Sequence, residues 1–132
     1  MLFSLKQVAV AAIVIVGLAT SARADDRYDK CMEGAETNAE FGKCGEEWIK
    51  REDAKLNATW KKLHGAATGQ TKKDLLAEQR LWIAFRESAC KFYANGDWGR
   101  ESQVIDALAC QAGLIADRTK ELEEYLMGIS GE

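Results

Sequence analysis

The segment QRLWIAFRESAC, residues 79–90, mixes bulky apolar residues with charged ones and ends in a cysteine. At helical spacing it forms one inward-facing stripe together with its neighbours in the chain. The stripe consists of Leu75, Gln79, Trp82, Arg86, Ala89 and Tyr93, with Leu76, Ile83 and Cys90 on its edges. Because an unpaired charge in a protein interior is costly, Gln79 and Arg86 require polar partners on neighbouring helices. The segment therefore predicts a central helix whose neighbours carry complementary polar groups.

The start of the chain has a pattern typical of an export signal. Lys6 precedes an apolar run over residues 8–18, and small residues then lead to the A-x-A sequence of residues 22–24. This run is shorter than the about 20 residues that a membrane-spanning helix needs. We therefore expect a signal peptide over residues 1–24, cleavage after Ala24, and a single mature domain over residues 25–132 without a membrane span. The mature protein would be periplasmic or secreted.

The charge balance is acidic. The full chain has 18 basic and 21 acidic residues, which gives a net charge of −3 at pH 7. Removal of residues 1–24 takes away two basic residues, Lys6 and Arg23, and no acidic one, so the net charge becomes −5. Nucleic acid is an unsuitable partner because phosphate binding needs a basic surface. Electrostatic steering instead favours cationic partners.

Four cysteines follow the predicted signal peptide: Cys31, Cys44, Cys90 and Cys110. An even number in a small exported domain predicts two disulfides. The spacings contain no C-x-x-C pair and His64 is the only histidine, so we expect no metal site and no cofactor. Pairing of Cys31 with Cys44 and of Cys90 with Cys110 is the favoured arrangement because both bridges are local. Pairing of Cys44 with Cys90 and of Cys31 with Cys110 stays open.

The rest of the pattern predicts an all-α fold. The chain has no proline, which suits long uninterrupted helices. Residues 95–99, NGDWG, form a loop by composition. We expect a short helix from Asp26 to Glu33, then long helices from a cap at Thr37 or Asn38 to about His64, from Thr71 to about Tyr93, and from about Glu101 to Met127. Short connections make this an up-down-up bundle of three long helices with a short N-terminal helix, stapled by two disulfides.

Polar residues on the three long helices are predicted to meet in two layers. Counting along antiparallel helices from their turns places Asn57, Gln79 and Arg118 in one layer, and Asp53 with Arg86 in the other. As a catalytic site this cluster would use Asp53 as an acid or base. The sequence offers no activated nucleophile, however, so we interpret the cluster as a structural network and expect no enzymatic activity.

A candidate partner contact lies in the loop after the second long helix. Asp97 and Trp98 stand between glycines, where a tryptophan can protrude and anchor an interface. Folding back of Trp98 onto the end of the bundle is the alternative. Trp48, Ile49 and Trp60 offer a second apolar surface, for which packing in the core is the favoured explanation.

Four sequence elements are shared with a known family. They are the cysteines at positions 31 and 44, the sequence DAKLN at residues 53–57, the Gln79-Arg80 pair with Trp82, Phe85, Arg86 and Cys90, and finally Cys110 with Arg118 and Leu122. Together they resemble the LprI-type lysozyme-inhibitor domain, and the resemblance covers nearly all of residues 25–132. The chain departs from the family pattern at Trp60, Gln111 and Ile115, where Tyr, Leu and Thr are frequent.

The resemblance implies an exported periplasmic binding protein that inhibits lysozyme-like peptidoglycan hydrolases, with a cationic lysozyme-type protein as its partner. No inhibitory residue follows from it, because the matching residues are those that we place in the core. The alternative function is a protein–protein interaction or structural module of the cell envelope that does not bind lysozyme. The sequence does not indicate an oligomeric state.

Overall fold

The computed structural model describes residues 25–131, and the predicted signal peptide and its cleavage site lie outside this range. The described chain forms α1 (Asp26–Gly34), α2 (Asn38–Ala66), α3 (Gly69–Ala89), α4 (Lys91–Ala94), α5 (Gly99–Val104) and α6 (Asp106–Ser130). The prediction of an all-α fold with three long helices and a short N-terminal helix is confirmed. Within residues 25–131, no helix combines the length and the hydropathy required to cross a membrane.

The start of α2 follows the predicted cap. Thr37 Oγ1 accepts a hydrogen bond from the backbone N–H of Glu40 at 3.3 Å, and the Glu40 carboxylate accepts one from the backbone N–H of Thr37 at 2.9 Å. This reciprocal arrangement is a capping box, which satisfies amides that the first turn leaves without helical partners. Hydrogen bonds from backbone amides and from the Thr37 hydroxyl lower the pKa of Glu40 below its ordinary value.

Other boundaries differ from the sequence expectation. The predicted start of α3 at Thr71 is wrong, because the helix begins at Gly69, which adopts a φ of +57° that suits glycine. The second long helix is interrupted at Cys90, and the third is interrupted at Ile105. At Ile105 the backbone φ of −111° lies outside the usual helical range, and the break separates α5 from α6.

The closest helix pair is α2 with α6, and glycine in α2 permits the contact. A Cβ atom added at Gly45 would lie only 2.7 Å from the Cβ of Leu108 in α6, whereas one at Gly42 would lie 3.8 Å from Val104 of α5. The backbone of α2 therefore approaches α6 more closely at Gly45 than any residue with a side chain would allow. These two helices form the centre of the bundle.

Helix α3 is peripheral, so its predicted central position is wrong. Only Leu75 and Gln79 of this helix are buried, and Leu76 and Ile83 at the edges of its stripe are exposed. The core cluster consists of Leu56, Leu63, Ala67, Leu75, Ile115 and Leu122, with Ile49, Trp60, Trp82 and Leu126 packed against it. Helix α3 meets this core through large side chains such as Trp82, which keep its backbone further away than small residues would.

Both disulfides join consecutive parts of the chain. Cys31 is bonded to Cys44, which fastens α1 to α2, and Cys90 is bonded to Cys110, which fastens the end of α3 to α6. The local pairing is thus confirmed, and the pairing of Cys44 with Cys90 is wrong. Each bridge constrains the unfolded chain and is expected to contribute roughly 2–4 kcal/mol to stability.

The aromatic residues of α2 pack inward. The ring of Trp48 lies 4.5 Å from that of Tyr28 in α1, measured between ring centroids. Ile49 and Trp60 pack against the core cluster. Burial also raises the pKa of Tyr28, and the carboxylates of Asp29 and Asp106 add to the shift. These contacts leave α2 without the separate apolar patch that the sequence permitted.

Candidate functional site

A buried arginine connects α6 to α3. The Arg118 side chain is only 1% exposed, and its Nε and Nη2 atoms donate to Gln79 Oε1 at 3.0 and 2.8 Å. Nη1 donates to Glu78 at 2.7 Å and to Glu121 at 2.9 Å, and Nη2 also donates to Glu78. The rings of Trp82 and Tyr125 flank the guanidinium, with centroids 5.6 and 5.8 Å from its carbon. We call this set the Arg118 network.

The charges of the Arg118 network do not balance. Burial opposes the charged form of Arg118, but the hydrogen bonds that it donates to Glu78 and Glu121, together with the negative charges of these two carboxylates, outweigh burial and raise the pKa of the guanidinium above its ordinary value. Two carboxylates thus surround one permanent cation. The side chains of Glu78 and Glu121 are 45% and 54% exposed, so both also face solvent.

The second predicted layer is a partly exposed ion pair. Arg86 donates to Asp53 at 3.1 Å, and the two side chains are 28% and 39% exposed. The Arg86 guanidinium also lies 5.4 Å from the Trp82 ring centroid, on helix α3 itself. The pair joins α2 to α3 near the surface of the bundle. It is therefore weaker than a buried pair would be.

The structure does not bring Asn57 to Arg118, which corrects the predicted first layer. Leu56 and Thr59 of α2 point inward, and this rotation leaves Asn57 exposed. Glu78 and Glu121 contact Arg118 instead, and the sequence reasoning missed both. A signal was present: Glu121 lies three residues after Arg118, a spacing that places both side chains on the same helix face.

The hydrogen bonds of the Arg118 network join α6 to α3. Each of its polar groups is engaged with Arg118, and no serine, cysteine or histidine takes part. All four cysteines are in disulfides. In residues 25–131 there is also no group of three or more His, Cys, Asp or Glu side chains placed to hold a metal ion. Through its hydrogen bonds to Gln79 and Glu78, Arg118 positions α3 against α6.

A second ion pair fastens α1 to α2. Asp25, the N-cap of α1, accepts hydrogen bonds from Arg51 Nε at 2.7 Å and from the Arg27 backbone N–H at 2.8 Å. Burial alone would raise the pKa of Asp25, but these hydrogen bonds and the Arg51 charge outweigh it and lower the pKa below its ordinary value. The fold therefore favours the charged form of Asp25.

The loop with the predicted partner contact presents two aromatic rings to solvent. The Trp98 side chain extends outward, with the residue 60% exposed, and its ring centroid lies 4.9 Å from that of Phe92, which is 51% exposed. Asp97 is exposed beside them. Gly96 and Gly99 adopt φ values of +95° and +89°, so both glycines are needed for this turn. Phe92 was missed by the sequence reasoning, although it lies only one helical turn before the NGDWG segment.

Several bonds hold this loop in one shape. The disulfide of Cys90 fixes its start, and the Ser102 hydroxyl donates to the carbonyl of Tyr93 at 3.3 Å. Gln103 Nε2 donates to the carbonyl of Ala94 at 3.2 Å, and the backbone N–H of Asp97 donates to an Asn side chain at 2.9 Å. A loop held in this way presents its rings with little ordering left to occur on binding. We call residues 90–99 the Trp98 loop.

Taken together, the helices and the two disulfides define a disulfide-bonded all-α protein of the extracytoplasmic type. The sequence profile described as "Lysozyme inhibitor LprI" matches residues 29–122, which include both disulfides, the Trp98 loop and most of the Arg118 network. The chain belongs to the LprI lysozyme inhibitor family. Comparisons with curated proteins and with solved structures give no match.

Proposed function

We propose that this chain is an exported periplasmic protein that binds and inhibits lysozyme-like peptidoglycan hydrolases. In this proposal residues 1–24 are removed on export, and residues 25–132 act as one helical domain. Membership of the LprI family supports the role, and two disulfides suit an oxidising compartment. The net negative charge of the chain suits a cationic enzyme as partner. The observation that carries the proposal is the exposed aromatic pair on the Trp98 loop.

The shape of the Trp98 loop suits blockade of an active site. Enzymes that bind polysaccharides do so in concave sites, and an exposed, internally bonded loop can enter such a cleft. Trp98 and Phe92 supply apolar area, and tryptophan is among the residues most enriched at the energetic centres of interfaces. Asp97 adds a negative charge beside them, which complements a cationic enzyme. Inhibition would then be steric and would require no chemistry from this chain.

The proposal is tested by titrating the purified, oxidised protein against a cationic lysozyme during lysis of peptidoglycan. We expect dose-dependent inhibition, and Trp98→Ala should raise the half-inhibitory concentration roughly 30-fold, the equivalent of a hot-spot residue worth about 2 kcal/mol. Ile83→Ala is the control, because it also removes an exposed apolar side chain but lies in α3, outside the Trp98 loop. Absence of inhibition, or equal effects of the two substitutions, would reject the proposal.

The alternative, an envelope interaction module without lysozyme binding, has less support. Its sequence basis was an apolar patch formed by Trp48, Ile49 and Trp60, and these side chains pack against Tyr28 and the core. The alternative would gain support only if the protein failed to bind several types of lysozyme.

A further inference from the structure

One stripe of α3 runs along the length of the helix, on the flank next to α6. It consists of Thr71, Asp74, Glu78, Leu81 and Phe85, at steps of three and four residues. Glu78 contacts Arg118 of α6, and this contact shows which way the stripe faces. Leu76 and Ile83 lie on the opposite flank, near Arg86 and α2. We call the five residues the α3 stripe.

The second half of the α3 stripe is an exposed apolar ridge. Leu81 and Phe85 are 73% and 54% exposed, and the exposed Phe92–Trp98 pair of the Trp98 loop follows in the chain beyond the helix break at Cys90. An aromatic side chain buries roughly 150–250 Å² when it is fully covered, so these four half-exposed residues offer roughly 400 Å². Exposed apolar area of that size is comparable to the largest apolar patch on a typical monomeric protein, which is often a functional surface. It is only about half of the 800 Å² that each partner covers in a standard interface, so a bound protein must also cover neighbouring surface.

A groove lies at the other end of the α3 stripe. It has a volume of about 460 Å³ and is lined by Thr71, Asp74, Leu75, Glu78, Tyr125, Gly128 and Ile129. Leu75 and Ile129 give it apolar walls, while Asp74 and Glu78 place two carboxylates on its α3 side. Tyr125 adds an exposed aromatic ring. We call this feature the acidic groove.

The charges around the acidic groove indicate what it binds. Asp74, Glu78 and Glu121 bring three negative charges against the single positive charge of the buried Arg118, so the cluster keeps a net negative charge. Glu78 and Glu121 are bonded to Arg118, whereas the Asp74 carboxylate accepts only a neutral hydrogen bond, from Gln70 at 2.8 Å. Lys72 and Lys73 lie at positions of α3 outside the stripe. A lysine or arginine side chain has an apolar stem for the groove walls and a charged end for the carboxylates and the ring. A second copy of this chain would bring the same carboxylates and be repelled.

We propose that the acidic groove, the apolar ridge and the Trp98 loop form one docking face for a basic protein, and that the groove receives a lysine or arginine side chain of that partner. The identity of the partner rests on the function proposed above, whereas the chemistry of the groove does not. The face extends the contact from the Trp98 loop along α3 to the C-terminal part of α6.

The groove is tested without any lysozyme. Acetyl-arginine amide is titrated into the isotopically labelled, oxidised protein, and backbone amide NMR shifts are followed. We expect saturable shifts at Thr71, Gly128 and Ile129 in the range of roughly 1–10 mM. Acetyl-citrulline amide, which has nearly the same shape without the charge, should bind with a Kd at least three times higher. The Asp74→Asn variant should likewise bind acetyl-arginine amide with a Kd at least three times higher. Glu87→Gln, which removes an exposed carboxylate from another side of α3, should not.

The full docking face is tested by measuring the Kd of a cationic lysozyme for the same oxidised protein and its variants. The double substitution Leu81→Ala and Phe85→Ala should raise Kd at least tenfold, Asp74→Asn about threefold, and the control Ile83→Ala less than twofold. If lysozyme fails to bind while the arginine derivative shifts the groove, the proposed function fails and the groove assignment stands. If the arginine derivative leaves the groove unshifted, or if lysozyme binds the ridge and Asp74 variants as tightly as the unaltered protein, the docking face is rejected.

Discussion

Replacement of Arg118 tests how α3 is held on the bundle. Arg118→Ala removes the guanidinium that donates to Gln79, Glu78 and Glu121. The two carboxylates are about half exposed, so water can solvate them after the change. Gln79 is buried, and its oxygen loses both of its donors, which costs roughly 1–3 kcal/mol. The cavity left by a side chain that was 1% exposed adds a further cost, so we expect a total loss of roughly 3–5 kcal/mol.

The free energy of unfolding is measured by urea denaturation of the oxidised protein, followed by circular dichroism. Two controls separate the causes. Glu121→Ala should cost less than about 1 kcal/mol, because that carboxylate is half exposed and bonds within its own helix. The double variant Gln79→Leu with Arg118→Met should be more stable than Arg118→Met alone, because both contacting side chains are then apolar and no buried polar atom is left without a partner. A loss below about 1 kcal/mol for Arg118→Ala, or an equal loss for Glu121→Ala, would refute this reasoning.

Three further predictions concern helix contacts and pH. Gly45→Ala should destabilise the protein by about 1–3 kcal/mol in urea denaturation, because the new Cβ would lie 2.7 Å from a leucine Cβ of α6; Gly42→Ala, with 3.8 Å of space, should be neutral or slightly stabilising, and equal effects would contradict the close approach. Asp53→Ala should cost only about 1 kcal/mol, because its ion pair with Arg86 is partly exposed, and a double-mutant cycle measures the coupling. The folded state lowers the pKa of Asp25 from 3.8, so its contribution is present above about pH 4 and lost as the pH falls through the lowered value. Asp25→Asn should therefore reduce the acid-induced loss of stability measured between about pH 2 and 6, and an unchanged pH profile would contradict this.

The helical architecture followed from the sequence because its signals are local. The capping residue Thr37, the two local disulfides and the long apolar stripes each depend on residues close together in the chain. Counting from the turns also placed Gln79 level with Arg118, since antiparallel helices of equal rise keep that relation along their length.

The distance between neighbouring helices and the rotation of each helix about its own axis could not be predicted from the sequence. A stripe of apolar residues shows which face of α3 turns inward, but it does not show how close a neighbour comes. That distance depends on the small residues of other helices, such as Gly45 of α2. Counting from a turn likewise gives the level of a residue and not its rotation, so Asn57 was placed inward while Glu78 was overlooked. The backbone breaks at Cys90, which is itself in a disulfide, and at Ile105 had no clear sequence signal.

The direct test of the central claim, that the Trp98 loop occupies the substrate cleft of a lysozyme-like hydrolase, is steady-state kinetics with a soluble oligosaccharide substrate. Increasing concentrations of the oxidised protein should raise the apparent KM and leave kcat unchanged, because substrate and loop would exclude each other. Trp98→Ala should remove most of this effect. A fall in kcat at constant KM would place the contact outside the cleft, and unchanged kinetics at an excess of the protein would contradict the inhibitor function itself.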